Sequence, residues 1–79
     1  MPRYRLRAIG ADFEAADDGH DFADADVATA EAKRAGIALA AEEIEKGKNC
    51  SIVEAHVLDD RETIIRYVIA LSVEALQTD

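Results

Sequence analysis

The sequence predicts an α+β domain: an antiparallel β-sheet with one central α-helix packed on one face, in the order strand, short strand, helix, strand, strand. Three observations predict it. Residues 3–9 alternate between arginines and apolar side chains, the period-2 pattern of a half-buried strand. An uninterrupted alanine-rich stretch, Ala25 to Lys46, carries stop and start signals at its ends. Cys50–Leu58 and Thr63–Leu71 are two β-branched, apolar runs joined by the polar loop Asp59-Asp60-Arg61-Glu62, the signature of an antiparallel hairpin. At 79 residues there is room for a single domain, 1–79, and no internal repeat or linker divides it.

In the first strand Tyr4, Leu6 and Ala8 point one way and Arg3, Arg5 and Arg7 the other. Gly10-Ala11-Asp12 then turns the chain, and Phe13 begins a short second strand. Asp17-Asp18-Gly19 reads as a second turn, because glycine supplies the positive φ that tight turns need. His20-Asp21-Phe22 runs extended into the helix. Asp24 is suited to the N-cap, where its carboxylate accepts from free first-turn amides, and Gly47 to the residue just past the helix end. Two apolar stripes lie on roughly opposite sides of this helix: Ala28, Ala32, Ala35 and Leu39 on one, Ile37, Ala41 and Ile44 on the other. In the hairpin, Val53, Ala55 and Val57 share a face, as do Ile65, Tyr67, Ile69 and Leu71. The opposite faces are mixed, with Ile52, Leu58, Ile64 and Val68 among Glu54, His56 and Arg66. The expected core is Tyr4, Leu6, Phe22, Ala28, Ala32, Ala35, Leu39, Val53, Ala55, Val57, Tyr67 and Ile69.

Composition narrows the function classes. Hydrophobic residues make up 49% of the chain, too many for a disordered protein, yet sixteen of them are alanines that bury little area. A domain this small is marginally stable alone, so association with a second chain is an expectation from size. The net charge of -8 repels nucleic acid and anionic membranes. No stretch approaches the ~18 apolar residues of a membrane span, and no signal peptide is expected. Cys50 is the only cysteine, which excludes an internal disulfide and suits a reducing compartment; the cytoplasm is the expected location.

The order of Met1-Pro2-Arg3-Tyr4, the acidic turn Asp17-Asp18-Gly19, the Asp24-capped helix with Ala28-Thr29-Ala30-Glu31-Ala32, and a terminal hairpin around Asp59-Asp60 resembles a family of short alphaproteobacterial proteins known as a domain of unknown function. The resemblance spans nearly the whole chain. It departs from the family pattern at Arg5 and Arg7, where aromatic or apolar residues are usual, and in the last loop, which lacks the usual glycine. It implies the strand–helix–strand order, and neither an activity nor any catalytic residue.

Seven carboxylates crowd residues 12–26, but an EF-hand register with Gly19 at position six puts Ala16 and Ala25 at ligand positions three and twelve, so capping and solubility account for the acids without a cation. Cys50, His20 and His56 lack the four-ligand spacing of a zinc site. Cys50 and His56 share a strand face about 20 Å apart at strand rise and cannot form a dyad. The Arg3, Arg5, Arg7 stripe has no aromatic interleaving and is expected to be solvated or paired with the acidic segment. No catalytic, cofactor-binding or metal-ligating residue is therefore assigned, and an enzyme is not expected. The expected function is a non-enzymatic interaction module that forms a homodimer through Ile37, Ile44, Ile52, Ile64 and Val68, because exposed apolar patches mark contacts. The alternatives are an antitoxin-like regulatory partner of another protein and a small ligand- or metal-binding protein. Neither nucleic acid nor membrane is an expected partner.

Overall fold

The computed structural model describes residues 2–60 and 63–77, with the side chains of 63 and 64 left out. Its elements are β1 (Arg3–Ile9), β2 (Glu14–Ala16), β3 (His20–Asp21), α1 (Ala25–Glu45), β4 (Cys50–Leu58) and β5 (Thr63–Ser72). All pairings are antiparallel and the sheet order is β2-β1-β4-β5, with β3 also on β1. The single helix packs on one face of this five-stranded sheet. The α+β architecture expected from the sequence is therefore the one observed.

Each element has a local cause. Asp24 caps α1, its Oδ1 accepting from Val27 N–H at 3.0 Å. Lys46 ends the helix and Gly47 follows at φ +110°, where a side chain would be strained. Alternation in β1 turns Tyr4, Leu6 and Ala8 toward the helix. Val53 and Val57 of β4 are the largest fully buried side chains.

The Asp17-Asp18-Gly19 segment is not a reversal of the chain. β2 and β3 run in succession along one edge of β1, and Arg7↔Ala16 and Tyr4↔His20 are paired on either side of the interruption. Two residues lie between Tyr4 and Arg7 on β1 and three between Ala16 and His20, so the segment is a bulge with one extra residue, and Gly19 at φ +104° absorbs it. Asp17 replaces the missing ladder acceptor: its Oδ1 accepts from Leu6 N–H at 3.0 Å and from Gly19 N–H at 3.2 Å. Asp17→Ala removes the acceptor of two part-buried amides and is expected to cost about 2 kcal/mol in urea unfolding. Asp17→Asn keeps an oxygen there and should recover most of it; equal loss in both variants would contradict this role.

The helix presents a different stripe to the sheet from the one expected. Its buried residues are Ala28, Thr29, Ala32, Gly36 and Ala40. Ala35 is exposed and is not part of the core, and Leu39 is half-buried at the margin. The smallest side chains decide the orientation: a Cβ on Gly36 would lie 2.4 Å from Ile69 Cδ1, so a larger residue here requires the Ile69 side chain to turn aside. The remaining expected core residues pack as anticipated, with Tyr4, Leu6, Phe22, Tyr67 and Ile69 partly buried around Ala28, Ala32, Ala55 and Val57.

Candidate functional site

Among the described residues no element packs on the outer face of the sheet, and a chain of polar contacts crosses its middle. The register places Arg7 opposite His56 and His56 opposite Arg66. Arg7 Nη2 lies 3.1 Å and Nε 3.4 Å from His56 Nδ1, and His56 Nε2 lies 3.1 Å from Glu54 Oε1, which also accepts from Arg66 Nη2 at 3.2 Å. A guanidinium has only donors, so Nδ1 accepts and the ring proton sits on Nε2, donating to Glu54. His56 is only 5% exposed although it stands on the open face, because its neighbours lie against it.

Both ring nitrogens are engaged, and these contacts tie β1, β4 and β5 side by side. Cys50 stands six residues away on the same strand face. The bonds from His56 and then Arg66 hold the Glu54 carboxyl below the usual glutamate range. A group titrating lower in the folded chain than in the unfolded one stabilises above the ordinary carboxylate range, and the contribution disappears as pH falls through the folded value. An NMR titration of the Glu54 carboxyl carbon is expected to give a midpoint below that of a free glutamate, moving upward in His56→Gln. A midpoint at or above the free value would contradict the network.

The acidic segment is dispersed over structural tasks. Asp12 accepts from Lys48 Nζ at 2.8 Å, Asp17 forms the bulge and Asp24 caps the helix. Lys48 also reaches Glu43 at 3.1 Å; these bonds hold Asp12 below its ordinary range and Lys48 above its own. Among the described residues no three His, Cys, Asp or Glu side chains converge to hold a metal ion. The arginine stripe meets this segment through its backbone: Arg3 Nη2 contacts the carbonyls of Asp18 at 3.4 Å and Gly19 at 3.3 Å.

Between α1 and the β1–β2 edge lies an open groove of about 360 Å³, floored by Leu6, Ala8, Ala15, Phe22, Ala32 and Leu39. A ligand site needs polar groups converging on its occupant. Here the Asp17 carboxylate is turned to Leu6 and Gly19, and Glu31 to Arg34.

The apolar residues singled out from the sequence gather on the other side of the molecule. Lys33 holds its ammonium 4.6 Å from the Tyr67 ring centroid, so that flank of α1 stands over β5. Ile37, one turn further, is 50% exposed there, and Ile44, two turns beyond it, is half-buried on the same flank. On the outer face Ile52 is 59% and Val68 70% exposed. Ile52 sits opposite Ala70 and Glu54 opposite Val68, which makes Ile52 and Val68 diagonal neighbours across the hairpin. The Ile64 side chain lies outside those described. The structure thus brings Ile37, Ile44, Ile52 and Val68 to the two faces flanking one strand, β5, at the end of the sheet. The residues that sequence reading missed are Arg7, Glu54 and Arg66 as partners of His56, since only strand register unites them.

No protein-family model matches this chain, and no match was found among curated proteins or solved structures. Among the described residues no helix is long and apolar enough to cross a membrane.

Proposed function

We propose that this protein is a non-catalytic interaction module of the cytoplasm that self-associates as a homodimer through the β5 side of the domain. The observation that carries the reading is that exposed Ile37, Ile52 and Val68 lie about one edge strand, β5, which pairs with β4 on one side only.

Ile37, Ile52 and Val68, at 50%, 59% and 70% exposed, stand on regular elements, where exposed aliphatic side chains mark contacts. The lone Cys50 and the fully engaged His56 support a non-catalytic role. The test is the molar mass in solution, expected at twice 8.6 kDa.

A further inference from the structure

We infer that β5 pairs antiparallel with β5 of a second copy about a two-fold axis at Val68, giving one continuous sheet with the two α1 helices side by side on the same face. This rests on the self-association just proposed and specifies its geometry.

The backbone of β5 defines which groups are free. Val73 N–H donates to Asn49 C=O at 2.8 Å, in line with the Cys50↔Ser72 register. Pairs that exchange such bonds alternate along an antiparallel ladder with pairs that do not. The backbones of Tyr67, Ile69 and Leu71 therefore point to β4, and those of Arg66, Val68, Ala70 and Ser72 point to the open edge. Among the described residues this edge lacks the devices by which monomers blunt theirs: the ten-residue strand has no proline, and Arg66 is its one charged residue.

Symmetry and side chains select the register. A strand that pairs with itself antiparallel about a two-fold and keeps its helix-facing residues on the helix side must place one residue opposite its own copy. Centring on Arg66 would oppose two guanidiniums. Centring on Val68 puts Arg66 opposite Ala70 of the second copy and sets two valines, each mostly exposed in the single chain, against each other. The helix side agrees independently. Gly36 touches Ile69 and Lys33 lies over Tyr67, so Ile37 stands above the centre of β5. A two-fold at Val68 brings the Ile37 side chains of the two helices toward each other over Tyr67 and Ile69. The axis that pairs the backbone is the one that covers the exposed isoleucine.

Disulfide trapping tests it. A self-opposed, hydrogen-bonded pair has Cα atoms about 5.5 Å apart, inside the disulfide window. Residues 66 and 70 lie two places from the axis, so each is roughly 13 Å from its own copy, too far to bridge. In a Cys50→Ser background, Val68→Cys is expected to form a linked dimer as its majority product under mild oxidation, with unchanged circular dichroism. Arg66→Cys or Ala70→Cys alone should stay mostly unlinked. Linkage at 66 or 70 in place of 68, or a two-chain mass with no linkage at 68, overturns this pairing while leaving self-association standing. A one-chain mass for the unmodified protein, with no linkage, overturns both.

Discussion

Replacing Gly36 with valine is expected to lower the melting temperature of the domain by roughly 8–16 °C, from a loss of about 2 kcal/mol. The new side chain must displace Ile69 to fit between α1 and the sheet. Its Cβ would begin 2.4 Å from Ile69 Cδ1 and 3.4 Å from Ala55 Cβ, and its branches would push α1 off the sheet along the seam of the core. The gain in helix propensity over glycine is under about 1 kcal/mol and does not offset this. The control is specific. Ile69→Val deletes the methyl group that a Cβ at position 36 would strike, so Gly36→Ala should be tolerated better beside Ile69→Val than alone. Additive effects of the two changes would mean that the helix already has room to move, and thermal melts followed by circular dichroism decide the matter.

The second large effect concerns association. Ile37→Lys combined with Val68→Lys is expected to leave the fold intact, since both side chains are half or more exposed in the single chain. It should abolish the proposed self-association and leave single chains. Covering one such aliphatic side chain is worth about 1.5–3 kcal/mol, and two-fold symmetry counts every substitution twice. Either lysine alone should therefore weaken the dimer by about a hundredfold or more.

Much of this architecture is legible in the sequence because local chemistry determines it. Alternation about Arg3, Arg5 and Arg7 marks β1, Asp24 and Gly47 bracket α1, and the loop after Leu58 announces the hairpin. The rotation of the helix was not legible. The periodicity of Ala28, Ala32, Ala35 and Leu39 is a good apolar stripe, but the sheet selects the thinnest face, and that runs through Gly36 and Ala40. Hydrophobic periodicity is blind to glycine, so it places Ala35 in the core and not Gly36. The Asp17-Asp18-Gly19 bulge has the residues of a turn for a related reason. Aspartate and glycine serve either conformation, and the choice is made by β1, whose Leu6 N–H needs an acceptor.

The candidate surface divides in the same way. That Ile37, Ile44, Ile52 and Val68 exceed what one helix and one hairpin can bury follows from composition. That they flank a single strand depends on β5 standing at one end of the sheet, and that follows from tertiary pairing. The Arg7–His56–Glu54–Arg66 chain is the extreme case: its members come from three strands and meet only in register.

The most direct test of the central claim is the molar mass of the unmodified chain by light scattering behind size exclusion, run beside the Ile37→Lys, Val68→Lys variant. The expected result is twice 8.6 kDa for the former and 8.6 kDa for the latter. A mass of 8.6 kDa for the unmodified chain at high concentration would contradict it.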